Sequence, residues 1–196
     1  METPDETVSS SSEVATEHVK VLETRRLLLR WLTAEDAGFI LRLVNEPSWL
    51  RYIGDFGVRT VADAHRYIEK GPVAMYARLG FGLYLVELKS TGDPIGLCGL
   101  IKREALPEVD LGFAFLPDFW AQGYAFESAS ATMAHARLNF RLPRLVAISS
   151  PENSRAARLL EKLGFRFERL TRLTAGAQEV NLYATTEGAR PETSGA

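Results

Sequence analysis

The stretch Val109-Asp-Leu-Gly-Phe-Ala-Phe-Leu-Pro-Asp-Phe-Trp-Ala-Gln-Gly-Tyr-Ala-Phe-Glu127 constrains the fold more than any other part of the chain. Its first half, Val109 to Leu116, is short, apolar and aromatic, and predicts a buried strand. Pro117 and Asp118 stop that strand. Trp120 to Ala125 then brings small residues and Gly123, and a helical run follows at once. Strand, glycine-bearing loop and helix start form one physical device. The first N–H groups of a helix have no partner inside it, and the helix dipole adds partial positive charge there. Small residues let a pyrophosphate approach those donors. Neither Gly-x-x-x-x-Gly-Lys-Ser/Thr nor Gly-x-Gly-x-x-Gly occurs in the stretch, which disfavours a P-loop and a dinucleotide fingerprint. By itself the loop also reads as a plain glycine turn between strand and helix.

The flanking sequence places this device inside one domain. Residues 1–20 are rich in Ser, Thr and Glu and read as a disordered tail, as do residues 187–196. Between them, 21–186 shows no repeat, linker or shift in composition. Leu27 to Leu32 predicts a strand, and Thr33-Ala-Glu-Asp36 predicts the cap of a helix running to about Val44. Asn45 to Asp55 reads as a loop or broken helix, whose Trp49 and Tyr52, with Phe56 beyond it, pack on a core edge or line a pocket. A second helix starts near Thr60 and is expected to break at Gly71-Pro72, with a further short helix ending at Gly80. Phe81–Lys89 and Ile95–Lys102 read as a hairpin around Ser90-Thr-Gly-Asp-Pro94. Beyond the central stretch come a helix over 123–140, a strand over 144–149, a helix over 153–163 closed by Gly164, and two strands over 165–173 and 180–185. This order predicts a mixed α/β sheet with helices on both faces.

Charge and cysteine content narrow the function classes. A formal net charge of -2 argues against nucleic acid or an anionic membrane as main partner. The single cysteine, Cys98, lies in an apolar run and reads as an inert buried thiol. His18, His65 and His135 show no metal-ligand spacing, so no metal is expected. No apolar run is long enough for a membrane span, and no signal pattern opens the chain, which points to a cytoplasmic setting.

The central stretch resembles motif A of the GNAT N-acetyltransferase superfamily, Gln/Arg-x-x-Gly-x-Gly/Ala. Gly123 and Ala125 match the last two fixed positions, and Trp120 replaces Gln or Arg. It is similar to the branch of RimJ/RimL type (ribosomal-protein-alanine acetyltransferase-like), which often reads Trp-Gly-x-Gly-Tyr-Ala-x-Glu-Ala. Trp120, Gly123, Tyr124, Ala125 and Glu127 match that pattern, while Ala121 and Ser128 deviate. Glu23-Thr-Arg-Arg-Leu-Leu-Leu-Arg30, Pro94-Ile-Gly-Leu-Cys-Gly-Leu100 and Glu152-Asn-x-x-Ala-x-x-Leu-Leu-Glu-Lys-Leu-Gly-Phe165 resemble three further family segments in the family's order. The likeness runs from about Glu23 to Thr185.

The resemblance implies a GNAT-like fold: a mixed, mainly antiparallel twisted sheet of about seven strands, with a splay between the two central ones. It implies acetyl-CoA as co-substrate and a primary amine, on a protein N-terminus or a small molecule, as acceptor. Gln122, Gly123, Tyr124 and Ala125 are then expected at the pyrophosphate. Phe113, Phe115 and Leu116 are expected to flank the pantetheine arm, and Asn153 to hydrogen-bond near it as well as capping the last helix. The acceptor pocket is expected between Trp49–Phe56 and the final strands near Tyr183. A monomer or a homodimer is compatible with the pattern.

Acyl transfer to an amine needs a base for the ammonium proton, donors for the oxyanion, and a route out for the thiolate. Asp110 stands where the family often has Glu and is the expected base, with Glu108 as fallback. An ordinary Asp titrates near ~4, so Asp110 needs a raised pKa or a water relay. The chain departs from the family at the leaving group, because Ala156 and Leu160 replace the usual Ser or Tyr. That departure keeps open a non-catalytic acyl-CoA-binding module of the same fold. An unrelated phosphate-binding α/β domain is the third reading.

Overall fold

The computed structural model describes residues 18–186. The expected terminal tails lie outside the described residues, except that 18–20 lead into a first strand. Eight strands form one sheet: β1 Lys20–Glu23, β2 Leu27–Arg30, β3 Leu83–Leu88, β4 Pro94–Ile101, β5 Asp110–Phe115, β6 Val146–Ser149, β7 Phe165–Thr171 and β8 Val180–Thr185. Their spatial order is β1-β2-β3-β4-β5-β6-β8-β7. Every neighbouring pair is antiparallel except β5 and β6. The expected count of about seven missed β1, whose four residues bury little and carry almost no pattern.

The helices are α1 Ala37–Val44, α2 Pro47–Tyr52, α3 Val61–Ile68, α4 Ala74–Leu79, α5 Tyr124–Phe140 and α6 Ser154–Lys162. They cover both faces. On one face Ala129, Met133 and Ala136 of α5 and Leu160 of α6 pack with Leu100, Leu111 and Phe165. On the other, Ile40, Leu43, Ala64 and Ile68 of α1 and α3 pack with Leu85, Leu97 and Leu116. Helix α5 lies close because its buried stripe, Ser128, Ala129, Thr132, Met133 and Ala136, is mostly small and recurs at helical spacing. The Ser128 hydroxyl donates to the Tyr124 carbonyl at 2.9 Å, so that stripe carries no bare hydroxyl there. Cys98 is fully buried against Thr132 at 3.6 Å, and burial pushes its thiol up to about 11, in line with an inert role.

Local signals set the helix starts. Thr60 accepts from the Asp63 amide at 3.1 Å while Asp63 accepts from the Thr60 amide at 2.9 Å, a reciprocal capping box. The expected break at Gly71-Pro72 does not occur. A single π turn over Glu69–Val73 takes up Pro72 and joins α3 to α4. Proline has no N–H to offer, and a wider turn removes the clash with the preceding carbonyl. Asn45–Asp55, read as a loop or broken helix, contains the short α2 with Pro47 at its first position. Gly164 closes α6 at φ +89°, as its place after the helix suggested.

Candidate active site

The sheet parts at β5 and β6. These parallel strands share one register pair, Asp110 with Val146, and the Val146 amide donates to the Val109 carbonyl at 3.0 Å. Beyond that pair they diverge, while β4 stays bonded to β5 along its whole length and β8 to β6. The gap opens into a cleft of about 1740 Å³. Its walls include Phe113, Ala114 and Phe115 of β5 and Ile148 and Ser149 of β6.

The loop after β5 closes one end. Trp120 is anchored by its indole N–H to the Phe115 carbonyl at 2.8 Å. Gly123 then turns with φ +83° and starts α5. A side chain here would be strained, and its Cβ would lie 3.2 Å from the Arg26 guanidinium. Among the described residues, no acceptor lies on the amides of Ala121 to Ala125. These donors sit at the start of a 17-residue helix, where the dipole favours an anion. Glu127 holds the loop from behind. It accepts from the Arg26 amide at 2.9 Å, the Arg26 Nε at 2.7 Å and the Thr24 hydroxyl at 2.6 Å. Burial alone would raise its pKa, but these bonds from Thr24 and Arg26 hold it below the ordinary range. Arg26 also donates to the Gln122 carbonyl at 2.9 Å and lies 4.3 Å above the Tyr124 ring.

Helix α6 forms the facing wall. Arg155, Arg158 and Lys162 recur at spacings of three and four and line the cleft. Arg155 stacks 5.0 Å above the Trp120 ring, and Lys162 lies 4.6 Å from the Phe126 ring. Sequence reading missed these cations, although their helical spacing was a usable signal. Asn153 caps α6, as expected, by accepting from the Ala156 amide at 3.1 Å, and it also lines the cleft.

Two expectations about the lining need correction. Leu116 does not flank the cleft: it is 1% exposed, packs in the α1–α3 core, and its amide donates to Ile95. Gln122 keeps its main chain at the loop, as expected of an amide donor, while its side chain donates to the Asp118 carbonyl at 2.8 Å. Tyr183 is buried on the α5 side, edge-on to Phe167, and this end of the sheet reaches the cleft instead through Leu173, in the connection after β7, and Val180 at the start of β8.

Asp110 sits where the splay begins. Its side chain is 1% exposed and its Oδ2 accepts from Arg103 Nε at 2.6 Å. Oδ1 is buried with no hydrogen-bond partner. Burial raises the carboxyl pKa. The Arg103 charge and hydrogen bond oppose that rise, as does, more weakly, the Ile148 amide, which does not complete a hydrogen bond to Oδ1; the net shift is upward. Glu108, the fallback base, is not on the strand. It lies in the preceding bend and pairs with Arg144 at 3.2 Å, away from the cleft.

The other half of the cleft is walled by Trp49, Tyr52 and Phe56 around α2, and by Tyr67, Lys70 and Arg103. Trp49 does both things its position suggested, since it is 5% exposed in the core and still borders the cleft. Burial lifts Tyr67 to about 12, so its hydroxyl stays protonated at neutral pH. Among the described residues no group of His, Cys, Asp and Glu is arranged to hold a metal, and no helix is long and apolar enough to cross a membrane.

Comparison with known proteins agrees with this fold. The family model described as an acetyltransferase (GNAT) domain matches residues 26–166. The chain is 27% identical over 154 residues to the uncharacterized N-acetyltransferase YoaA of Bacillus subtilis (strain 168), covering 78% of this chain and 86% of that one. An acetyltransferase structure from Agrobacterium tumefaciens str. C58 superposes with a TM-score of 0.72 at 27% identity, over 84% of this chain and 93% of that one. The ribosomal L7/L12 alpha-N-protein acetyltransferase RimL, solved in complex with coenzyme A, shares the fold with a TM-score of 0.71 at 19% identity, over 84% and 96% of the two chains.

Proposed function

We propose, from the premise that this chain belongs to the GNAT acetyltransferase family and has RimL-like structural relatives, that it transfers the acetyl group of acetyl-CoA directly to a primary amine. The observation that carries this reading is the continuity of the cleft. It runs from free amides at the α5 N-terminus, along the gap between β5 and β6, to a buried carboxylate with one free oxygen.

The residues present fit such a donor. The pyrophosphate sits against the amides of Ala121 to Ala125, with Arg155, Arg158 and Lys162 supplying charge from α6. Phe113 and Phe115 flank the pantetheine arm, and β5 amides left free by the splay serve the carbonyl oxygen. The acceptor enters from the Trp49, Tyr52 and Phe56 side. Asp110 takes the amine proton through Oδ1, while Arg103 holds Oδ2 and fixes the carboxylate plane. The upward shift brings an otherwise weak base closer to the working pH.

Titration calorimetry with acetyl-CoA and CoA tests the reading. Wild type binds both in the micromolar range. Gly123→Glu puts a strained backbone and a negative charge into the cradle and abolishes binding without unfolding the domain. No wild-type affinity at saturating acetyl-CoA would remove the functional content of the assignment. Saturable acetyl-CoA binding with no turnover across a broad screen of amines would instead favour the non-catalytic module.

A further inference from the structure

Among the described residues, six buried side-chain polar atoms have no hydrogen-bond partner, and two of them belong to the strands that part. One is Asp110 Oδ1 on β5. The other is Ser149 Oγ on β6. A native interior leaves few such atoms bare, and one that borders a cleft marks a place that a ligand completes. The Asp110 oxygen already has a use in the proposed reaction. The Ser149 hydroxyl does not.

Its position narrows what it serves. Ser149 is the last residue of β6, three beyond Val146, so it lies on the order of 10 Å along the strand from the Asp110 pair. Its backbone is held in register with Asn181 of β8, which makes the site rigid. The phosphate cradle follows the far end of β5, while the proposed base stands at its start. An acyl donor anchored in the cradle and reaching to Asp110 must pass Ser149. Helix α6 has Ala156 and Leu160 toward its inner side, and its one hydroxyl, Ser154, is exposed at the first position. Ser150 Oγ is turned into the connection to α6, where it accepts from the Glu152 amide at 3.3 Å, and Tyr124 lies beneath Arg26.

We propose that Ser149 is the hydrogen-bond donor to the sulfur that leaves during acyl transfer; this rests on the acetyl-CoA reading of the cleft. The amine nitrogen forms a bond to the acyl carbon, and the carbon–sulfur bond breaks with its electron pair going to sulfur. The amine proton goes to Asp110. A serine hydroxyl is too weak an acid to protonate a thiolate outright, since a thiol titrates near ~8.5. It instead stabilises the thiolate by hydrogen bonding, and the sulfur takes its proton from solvent as CoA is released.

The test needs no knowledge of the acceptor. The thiol of bound CoA is titrated through thiolate absorbance in the ultraviolet, in wild type, Ser149→Ala, and the isosteric pair Ser149→Thr and Ser149→Val. A donor to the charged form lowers the bound thiol pKa, so loss of the hydroxyl raises it by about one unit. Val behaves like Ala, and Thr behaves like wild type. Arg155, Arg158, Lys162, Asp110 and Arg103 remain in every variant, so their fields cancel in the comparison. With an accepted amine, kcat falls about tenfold in Ala and Val, with the Kd for CoA within about twofold of wild type. Equal thiol pKa values in Thr and Val would overturn the assignment of Ser149 and leave the acetyl-CoA reading intact. Failure of wild type to bind CoA would overturn both. A larger thiol shift from Tyr124→Phe than from Ser149→Val would move the donor to α5.

Discussion

Asp36 and Asp110 are both buried carboxylates bound to an arginine, yet they are bonded in opposite ways. Asp36 takes a bidentate grip from Arg30 at 2.8 and 2.9 Å and also accepts from the Thr33 amide at 2.8 Å. Arg30 is itself shared with Glu87. Every oxygen of Asp36 is used, and the group ties the start of α1 to β2 and β3. Asp110 takes one hydrogen bond, from Arg103, and keeps one oxygen bare beside the cleft. A saturated network rigidifies a scaffold. A half-satisfied one is costly to keep, and it survives where the free atom has a use. The same pair of residue types therefore does structural work at one place and, in our proposal, chemistry at the other.

The largest effect that separates the two sites is on turnover. Asp110→Asn keeps the shape but removes the base, and kcat/KM falls roughly 10²–10³-fold in an amine assay. Stability moves the other way. A carboxyl whose pKa is higher in the folded chain binds its proton more tightly when folded, so its contribution favours folding below the unfolded pKa and is lost as pH rises through the folded one. Near neutral pH the charged Asp110 thus weakens the fold, and the uncharged amide does not. The Arg103 guanidinium is one-third exposed and can turn to water. Thermal unfolding of Asp110→Asn at pH 7 is expected at or above the wild-type temperature. A drop of several degrees would make Asp110 a scaffold residue like Asp36.

Asp36→Ala gives the converse result. It strips Arg30, 5% exposed, of its main partner and leaves a buried charge poorly matched. The cost is about 3 kcal/mol, at the low end for a broken buried pair because Glu87 remains. For a chain of this size that lowers the melting temperature by roughly 6–12 °C. Affinity for CoA in the surviving folded fraction stays near wild type. Selective loss of CoA binding with an unchanged melting temperature would break the contrast.

The two sites also differed in how far the sequence revealed them. Asp36 was legible, since Thr33-Ala-Glu-Asp36 is a local helix-start pattern and needs no tertiary knowledge. So were the strand, loop and helix around Gly123, and the cap at Asn153, because each is set by neighbours within a few residues. Asp110 was placed only by likeness to a family segment. Its partner Arg103 was not foreseen, because the shape of the 102–109 connection decides whether the two meet. Ser149 was also unreadable as a site. Its significance comes from the divergence of β5 and β6 after a single register pair, and no local pattern encodes that gap. Leu116 and Tyr183 failed for a related reason: alternation tells which residues share a face, not which face a parted sheet opens.

The smallest effect expected is also the finest probe of the contrast. Arg103→Met removes the positive charge and hydrogen bond that oppose the burial of Asp110, so the carboxyl pKa climbs further from its ordinary value. The base is active only when ionised. The acidic limb of the kcat/KM profile therefore moves to higher pH, and activity near pH 7 falls mainly because less Asp110 is charged. Raising the pH recovers that part of the loss. Arg103→Lys restores a charge but not the planar Nε donor, and its limb falls between those of wild type and Met. If Arg103 serves only to brace the β4–β5 connection, Met lowers activity equally at all pH values and the limb stays where it was. Arg103 would then join Arg30 as scaffold, and the free oxygen of Asp110 would owe nothing to its partner.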